Sequence, residues 1–379
     1  MAKKKFDQGY LQEILRNFQI RGKTASVVPF GSGHIHDTFL AKNSVKGCDS
    51  YILQRINTTV FPDVEVLMSN FAIVTEHLRK KLAAEAGSNH QMEALTLVCA
   101  SDGSAYYQDR QGYCWRLLVY IDDTVSYDRV EDEGLAYQGG RGFGRFLYLL
   151  SDLEPERLIE VIPGFHDIDH RLDQLDRAAG EDLLSRKEGV KKELEFVAGR
   201  AEAMRKIKEM GRVKLLPCRV THNDTKFNNL LLNRQGEARC VVDLDTVMPG
   251  YLAYDFGDAL RSLANSGRED AQSLAEVRFN KALFESFARG FIEQTADSLS
   301  KEEVESLAEG CLLMPYLLGV RFLTDHIGGD NYFKADYDGH NLNRARVQFR
   351  LLELIERERG WLAGFIKKTH FQRLKINGW

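Results

Sequence analysis

The feature that most constrains the fold is a polar run enclosed by short apolar segments in the middle of the chain. The polar run ends at Asn229, and the apolar residues 230–232 follow it directly. A turn sequence at 233–237 then leads into a second apolar segment that ends at Asp243. Short apolar runs joined by a Gly-containing turn are typical of a β-hairpin. The sequence therefore predicts a polar loop on a buried hairpin that returns Asp243 to the neighbourhood of Asp224.

The spacing within the polar run matches a catalytic pattern. His222, Asp224 and Asn229 form H-x-D-x-x-x-x-N, which is the arrangement of kinase catalytic loops. Phosphoryl transfer needs a carboxylate that orients and deprotonates the attacking hydroxyl, and oxygen ligands that hold Mg²⁺ on the nucleotide phosphates. Asp224 fits the first function, and Asn229 and Asp243 fit the second. A single Asp or Asn usually caps a turn, but the whole string with a second carboxylate favours catalysis.

A second candidate for the metal-binding carboxylate is Asp255, which begins an Asp-Phe-Gly string. That string carries a metal ligand in protein kinases. However, a Pro-Gly break at 249–250 separates Asp255 from the preceding strand, whereas Asp243 ends the strand that follows the hairpin. Asp243 is therefore the better metal ligand. We expect Asp255 to cap a helix that begins near Asp258 or to brace the catalytic loop.

Glycines near the N-terminus predict a loop that approaches phosphate groups. Gly31, Ser32 and Gly33 lie between two strand-like segments, and glycine allows a backbone to come close to phosphate. A G-x-G sequence is not specific, since it also occurs in ordinary hairpin turns. Rossmann and Walker loops both open a helix, whereas a strand pattern follows here. We therefore interpret the segment as a flap over phosphates, and we expect His36, just after it, at the surface.

The pattern of apolar residues predicts an α+β protein with two lobes. Over residues 1–121, short strands alternate with one helix, which Pro62 and Asp63 open. From Leu135 onward a helical period dominates. We expect a small β-rich N-lobe over 1–121 and a larger, mostly helical C-lobe over 122–379. Strands are predicted over 26–30, 38–42, 51–56, 94–100 and 113–121, and long helices over 170–210 and 268–310.

The composition argues against several classes of protein. Acidic residues (55) slightly outnumber basic residues (51), whereas nucleic-acid-binding domains concentrate Lys and Arg. No segment approaches the roughly 20 apolar residues that cross a bilayer, and the N-terminus lacks the apolar stretch of a signal peptide. The six cysteines are scattered without a C-x-x-C motif. We therefore expect reduced core thiols in a cytoplasmic protein without membrane or nucleic-acid partners.

Several segments along nearly the whole chain carry a family resemblance. They are 31–35, 51–54, 61–63, 124–127, 165–167, 170–171, 219–229, 243–250, 321–323, 329–330, 332–333 and 340–342. Together they resemble the aminoglycoside phosphotransferase and choline kinase-like family of the protein-kinase-like fold, and most closely its N-acetylhexosamine 1-kinases. The resemblance implies a two-lobed kinase, expected as a monomer, that binds ATP in the cleft between its lobes. It places the hinge near Tyr120 and Ile121.

The resemblance also implies a reaction and a set of contacts. The γ-phosphoryl group of ATP would pass to the anomeric C1 hydroxyl of an N-acetylhexosamine, with Asp224 as the base. Asn229 and Asp243 would bind Mg²⁺, and Gln54 would lie among the nucleotide contacts. The sugar would bind to four side chains: His34, Asp224, Arg321 and Tyr332.

One position departs from the wider family. Many kinases carry a Lys on the third strand that pairs with a Glu on the following helix. Gln54 takes that position here, and Arg55 lies on the opposite face of the strand. The following helix contains Glu65 and Glu76, but neither can be assigned to such a pair from the sequence. Either loop amides and Mg²⁺ stabilise the phosphates, or the strand alignment is offset by one residue.

Two alternative functions stay open at this point. A kinase of the same fold could act on homoserine, choline, an aminoglycoside or another sugar. A cationic acceptor would need carboxylates or an aromatic cage, and Arg321 with Tyr332 argues against such a pocket. The missing Lys suggests a non-catalytic nucleotide- or sugar-binding protein. The intact Asp224, Asn229 and Asp243 make that alternative the least favoured.

Overall fold

The computed structural model describes residues 6–376 except 32–34 and 266. Strands dominate up to residue 120 and helices beyond it, so the predicted α+β class is confirmed. Three residues with predicted binding functions lie outside the described part of the chain: Ser32, Gly33 and His34.

The smaller lobe is an antiparallel sheet with a helix on each face. Its elements are α1 (Gln8–Leu15), β1 (Thr24–Pro29), β2 (Asp37–Asn43), β3 (Tyr51–Arg55), α2 (Val64–Ala84), α3 (His90–Glu93), β4 (Leu97–Val98), β5 (Tyr107–Gln108) and β6 (Cys114–Val119). The strand order is β1-β2-β3-β6-β4, and β5 pairs with β6. Asp63 caps α2 by accepting a hydrogen bond from the amide of Val66. The helix opening predicted at this residue is therefore confirmed.

Alternate residues of β6 serve two different cores. Trp115 and Leu117 pack with α1 on one face of the sheet. Cys114 and Leu118 belong to the larger core that includes α2 and the helical lobe. Arg116 points to this second face, where its guanidinium lies 4.8 Å from the centre of a ring on α2. The sheet thus presents a buried cation toward the other lobe.

The predicted strands over 26–30, 38–42, 51–56 and 113–121 are confirmed. The strand predicted over 94–100 is wrong in extent, since only Leu97–Val98 pairs with β6. Beyond Val98 the chain leaves the sheet edge. The carbonyl of Cys99 instead accepts a hydrogen bond from the amide of Gln19 (3.0 Å).

The larger lobe is mostly helical. Its elements are β7 (Thr124–Val125), α4 (Glu133–Leu149), α5 (Ile168–Glu181), α6 (Lys191–Ala198), α7 (Ala201–Met204), α8 (Lys206–Arg212), β8 (Arg219–Thr221), β9 (Leu230–Asn233), β10 (Ala238–Val241), β11 (Met248–Gly250), α9 (Leu252–Leu263), α10 (Lys281–Thr295), α11 (Lys301–Ile327) and α12 (His340–Ile376). Two small sheets, β10-β9-β7 and β11-β8, lie among these helices.

The long helices predicted over 170–210 and 268–310 are wrong in extent. Asp182 follows α5 with a left-handed backbone (φ 38°), a conformation that ends a right-handed helix. The first segment therefore divides into α5 to α8. The second segment divides into α10 and the first part of α11. Reciprocal hydrogen bonds between Ser300 and Glu303 fix the start of α11.

Two helices of the larger lobe touch backbone to backbone. A Cβ atom at Gly257 of α9 would lie 2.2 Å from the carbonyl oxygen of Gly310 on α11. A Cβ atom at Gly310 would lie 1.9 Å from the carbonyl oxygen of Ala253. Only hydrogen fits at either position, so glycine is required for this close approach. The contact fixes α9, which carries Asp255, against the longest buried helix of the core.

Among the described helices, α11 alone has the length and apolar character needed to cross a membrane, so the expectation that no segment approaches such a stretch is wrong. However, 78% of its apolar window of 18 residues is buried inside the protein. A core helix of a folded domain gives the same pattern.

The cysteines form no disulfide in the described residues, which hold all six of them. Cys114, Cys240 and Cys311 are buried, as predicted for core thiols. The prediction is wrong for Cys218, which is exposed just before β8.

We expect Gly310→Ala to lower the free energy of unfolding by about 1–3 kcal/mol, because the added methyl group forces α9 and α11 apart. The matched control is Gly360→Ala on α12, where a Cβ atom would meet nothing within 4 Å. That exposed helical position should gain about 0.5–1 kcal/mol from the lower backbone entropy of alanine. Urea unfolding of both variants measures the difference. Similar midpoints for the two variants would contradict the proposed close contact.

Candidate active site

A left-handed turn at the end of β8 presents Asp224. β8 pairs with β11, and Thr221 lies opposite Met248. Asn223 then adopts φ 65°, which Asn tolerates better than most residues. Its side-chain amide donates to the carbonyl of Thr246 (3.0 Å), which holds the turn in place. Asp224 is the next residue and is only partly buried.

Asp255 braces this turn from α9. Its carboxylate accepts hydrogen bonds from the backbone amides of His222 and Asn223, each at 2.7 Å. Its own carbonyl accepts from the hydroxyl of Thr225 (2.6 Å). Burial raises the pKa of Asp255 to about 6, although nearby His222 and the two amide donors oppose the shift. Bracing is therefore the correct alternative for Asp255. The predicted helix start near Asp258 is wrong, because α9 begins at Leu252.

His222 joins the polar loop to the segment after β10 that carries Asp243. Its Nδ1 accepts a hydrogen bond from the amide of Asp224 (3.2 Å). The proton of the ring therefore sits on Nε2, which donates to the carbonyl of Val242 (2.9 Å). The ring packs edge-on against Phe143 and Phe146. This single side chain fixes the distance between the two loops.

The predicted hairpin is present between β9 and β10. The side-chain oxygen of Asn233 accepts hydrogen bonds from the amides of Gln235 (3.0 Å) and Glu237 (2.9 Å), which close the turn. After β10, the amide of Val242 donates to the carbonyl of Asn229 (2.8 Å). Asp243 follows with a left-handed backbone (φ 60°) and leads into a 3₁₀ turn. The hairpin thus returns Asp243 beside the end of the catalytic loop.

Asp224, Asn229 and Asp243 are brought together. The side-chain amide of Asn229 donates to the backbone carbonyl oxygen (2.8 Å) and to a carboxylate oxygen (3.2 Å) of Asp224. Loss of hydration and the charges of Asp245 and Asp224 raise the pKa of Asp243. Burial also acts to raise the pKa of Asp224, but the charge of Lys226 holds it below its usual value. Two carboxylates close enough for one to raise the pKa of the other favour a bound cation.

The donor set fits Mg²⁺ on a nucleotide. In the described residues, no group of three or more His, Cys, Asp or Glu side chains could hold a metal alone. Mg²⁺ in nucleotide sites is bound through one or two protein oxygens together with substrate phosphates and water. Asn229 and Asp243 would supply such oxygens. Their function in metal binding stays a prediction.

Sequence reasoning missed Lys226. Its Nζ lies 2.9 Å from a carboxylate oxygen of Asp224. The only signal in the sequence was its place two residues after Asp224 in the polar run. The structure adds a flexible cation beside the predicted base, where a transferring phosphoryl group would carry negative charge.

The expectation that His36 lies at the surface is wrong. Its ring is buried, and its Nε2 lies 2.6 Å from a carboxylate oxygen of Asp245. The guanidinium of Arg116 also binds Asp245. Gln54 accepts a hydrogen bond from Nε of Arg116 (2.9 Å) and donates to the hydroxyl of Thr38 (3.1 Å). Neither Arg116 nor Asp245 was singled out from the sequence, since the two residues are 129 positions apart in the chain.

Of the remaining predicted nucleotide contacts, Tyr120 and Ile121 lie where the chain passes between the lobes, and Gly31 lies between β1 and β2. Gly31 has a left-handed backbone (φ 74°) that follows β1. The ring of Tyr120 packs edge-on against Phe30 at 5.7 Å. Ile121 is buried. Residues 120–123 connect β6 of one sheet to β7 of another, so the hinge predicted here is consistent with the topology, although its function and the exact lobe boundary stay predictions.

Arg321 and Tyr332, the predicted sugar contacts on the larger lobe, are neighbours. The guanidinium of Arg321 lies 3.5 Å from the hydroxyl of Tyr332 and 4.7 Å from the ring centre of Phe165. The adjacent His166 places its Nε2 3.1 Å from the carbonyl of Asn223. A short chain of contacts therefore connects Arg321 to the turn that presents Asp224.

The loop that carries Tyr332 is ordered by Asp325, another residue that the sequence did not reveal. One carboxylate oxygen of Asp325 accepts from the amides of Asn331 (2.9 Å) and Tyr332 (2.8 Å). The other accepts from the amide of Phe333 (2.9 Å) and the side chain of Asn341 (3.0 Å). The carboxylate thus acts as a cap that fixes the backbone beside Arg321.

Two guanidinium groups, those of Arg171 and Arg321, lie close together in the region of the predicted sugar contacts. Burial and the nearby Arg321 lower the pKa of Arg171 to about 10. Arg171 is held by the carbonyl of Phe165, to which it donates two hydrogen bonds (3.0 and 2.8 Å). Two guanidinium groups therefore flank Phe165, and a cationic ligand would meet them at a cost.

Comparisons with known proteins agree with this architecture. Residues 26–292 match the model of the family described as the phosphotransferase enzyme family, APH. An amicoumacin kinase in complex with AMP-PNP, Ca²⁺ and Ami is similar in structure, with 12% identity, a TM-score of 0.58, and coverage of 92% of this chain and 94% of that one. Choline kinase from Cryptosporidium parvum Iowa II has 13% identity, a TM-score of 0.57 and coverage of 98% and 99%. A microcompartment-associated aminopropanol kinase has 16% identity, a TM-score of 0.55 and coverage of 94% and 98%.

The neighbouring residues Asn229 and Asn228 allow a matched test of the metal site. We expect Asn229→Ala to raise the Mg²⁺ concentration for half-maximal activity by about 10- to 100-fold, because one of two protein oxygens is lost. Asn228 instead donates to Asp128 (3.0 Å), so Asn228→Ala should change this concentration little. Initial rates over a Mg²⁺ series at saturating ATP give both values. Equal effects in the two variants would contradict the assignment of Asn229.

Proposed function

The chain belongs to the phosphotransferase enzyme family, and from this membership we propose that it is an ATP- and Mg²⁺-dependent N-acetylhexosamine 1-kinase. It transfers the γ-phosphoryl group to the anomeric C1 hydroxyl and releases a sugar 1-phosphate. The single observation that carries the kinase proposal is the juxtaposition of Asp224 with Asn229 and Asp243 on one braced loop and hairpin. We further propose that it acts as a monomer in the cytoplasm, which the free cysteines support.

In the proposed mechanism, Asp224 orients the attacking hydroxyl and takes its proton. Its pKa lies below the usual range because of Lys226, so it is ionised at neutral pH but is a weak base. Weak bases suffice for phosphoryl transfer, since the loose transition state needs little activation of the nucleophile. Mg²⁺ held by Asn229 and Asp243 would neutralise charge on the phosphates. Lys226 lies beside Asp224 and would stabilise the charge of the transferring group.

An uncharged acceptor with a planar carbonyl group suits the residues near Asp224. Arg321 and Arg171 make the acceptor side positive, which disfavours choline, aminopropanol and aminoglycosides. The donors of Arg321 suit a carbonyl or hydroxyl oxygen. The rings of Phe165 and Phe333, whose centres lie 4.7 and 5.4 Å from its guanidinium, offer apolar surface for an acetamido group. The contacts support an N-acetylated sugar over a cation.

An acceptor panel tests the reaction. Phosphorus NMR should detect a sugar 1-phosphate with GlcNAc or GalNAc, and none with the 1-deoxy analogue, which should still bind because it keeps the acetamido group. The Asp224→Asn variant should fold normally and lose activity by about 10²- to 10⁴-fold, because the proton acceptor is removed. Phosphorylation of the 1-deoxy sugar would move the reaction to another hydroxyl. Turnover of choline or homoserine alone would replace the proposed acceptor class.

Arg321→Met tests the acceptor contacts. We expect the KM for the N-acetylhexosamine to rise by about 10- to 100-fold, because a hydrogen bond from a charged donor is lost. The KM for ATP should stay unchanged. The matched control is Arg200→Met, since Arg200 also stacks on an aromatic ring, Phe196 at 3.7 Å, and pairs with Glu356. Steady-state kinetics with each substrate varied will separate the two constants, and a rise confined to the KM for ATP would be incompatible with the assignment.

A further inference from the structure

A buried cluster of three charged or polar side chains joins the two lobes. It lies at residues 243–245, a segment that we name the metal loop because Asp243 is a predicted Mg²⁺ ligand. Arg116 comes from β6 and His36 from the end of the glycine loop, whereas Asp245 lies two residues after Asp243. Nη2 of Arg116 is 2.7 Å from one oxygen of Asp245, and Nη1 binds the other oxygen. Nε2 of His36 lies 2.6 Å from the first oxygen. No side chain in the cluster is more than 5% exposed.

Both oxygens of Asp245 are occupied by donors of the protein. Arg116 donates one hydrogen bond to each oxygen, and His36 donates a further one to the oxygen that Nη2 of Arg116 contacts. Three of the roughly four acceptor positions of the carboxylate are therefore taken by donors of the protein. Asp245 therefore acts on the site through the chain that connects it to Asp243. That connection is short and begins with the left-handed backbone of Asp243 (φ 60°).

His36 connects the same carboxylate to the glycine loop. Its Nδ1 accepts a hydrogen bond from the amide of Asn57 (3.1 Å). Nδ1 therefore carries no proton, and the N–H group of the ring is at Nε2, which donates to Asp245. The side chain of Asn57 donates to the carbonyl of Ile35 (3.1 Å). Ile35, at the described end of the glycine loop, is thus connected through Asn57 and the imidazole of His36 to the metal loop.

Arg116 supplies from β6 a cation beside Gln54, the position on β3 where many kinases carry a Lys. It lies directly opposite Gln54 in the register of β3 and β6, and its Nε donates to Gln54 (2.9 Å). Its guanidinium also stacks on Phe71 of α2 at 4.8 Å. In kinases with a strand Lys, the cation pairs with a Glu on the following helix. Here the helix offers an aromatic ring instead, and the acidic partner comes from the metal loop.

We propose that Arg116, His36 and Asp245 are positioning residues that set Asp243 and the end of the glycine loop for Mg²⁺-bound nucleotide, replacing the strand Lys and helix Glu pair. The proposal rests on the proposed kinase function. A buried ion pair adds little net stability, because the cost of desolvation offsets the attraction. Removing both charges together should therefore preserve the fold and expose the effect on nucleotide binding.

The test is the double variant Arg116→Met/Asp245→Asn, with Arg116→Lys as the conservative variant. Thermal unfolding by circular dichroism reports the fold, and calorimetry reports Mg²⁺-dependent binding of AMP-PNP. We expect the double variant to keep a Tm within a few degrees of wild type and to bind Mg²⁺ and AMP-PNP at least about tenfold more weakly. Arg116→Lys should recover part of this loss, since it keeps the charge but not the bidentate geometry. The KM for the acceptor should be unchanged.

The matched control is Arg55→Met/Asp37→Asn. This ion pair (2.6 Å) lies in the same sheet on the opposite face and is partly exposed. The control variant should bind nucleotide as wild type does. A folded Arg116→Met/Asp245→Asn variant with wild-type affinity would overturn the proposal, and so would a double variant that does not fold, because the cluster would then serve stability.

Binding of AMP-PNP needs no acceptor, so the two proposals fail separately. If the wild-type protein phosphorylates no sugar and the double variant binds nucleotide more weakly than wild type, the proposed acceptor is rejected and the positioning cluster is supported. A wild-type protein that phosphorylates the sugar, with a double variant of equal affinity, would reject the cluster alone. Absence of any Mg²⁺-dependent nucleotide binding by wild type would overturn both.

Discussion

The candidate site depends on one carboxylate that organises two backbone amides. Asp255 accepts hydrogen bonds from His222 and Asn223, and these amides belong to the turn that presents Asp224. Amides in a buried turn would otherwise have no partner, which costs a folded protein more than a made hydrogen bond contributes. Asp255 can act as a fixed acceptor because α9 is held to α11 through Gly257 and Gly310. Helix packing in the core thus determines where the predicted base lies.

The lobes meet through a different set of contacts. On the larger lobe, His222 joins the catalytic loop to the strand before Asp243. Across the cleft, Arg116 and His36 converge on Asp245. Each contact involves a group with a fixed number of donors and acceptors, so each specifies a distance and an orientation. Apolar packing alone is less directional, which explains why polar groups are buried here despite their desolvation cost.

The catalytic loop could be predicted from sequence because its signals are local. The polar run, the turn at 233–237 and Asp243 lie within one short stretch, and the hairpin forms where predicted. Contacts between distant segments left no such signal. His36 is polar and follows a glycine loop, so a surface position was the natural expectation, yet Asp245 more than 200 residues later buries it. Arg116 lies in an apolar strand, and its contact with Gln54 became evident only from the strand register.

The same distinction separates the two halves of the proposed function. Chemistry at the phosphates uses groups on one loop and one hairpin, so family patterns describe it well. The proposed acceptor contacts come from Phe165, Arg171, Arg321 and Tyr332, which lie on separate segments of the larger lobe. Replacing Arg321 or Tyr332 would alter charge or shape at the proposed acceptor side, whereas Asp255 would still hold the turn that presents Asp224. Proteins with the same fold can therefore share one phosphoryl-transfer loop and differ in acceptor, and the positive charge of Arg321 is the feature on which the proposal of an uncharged sugar rests.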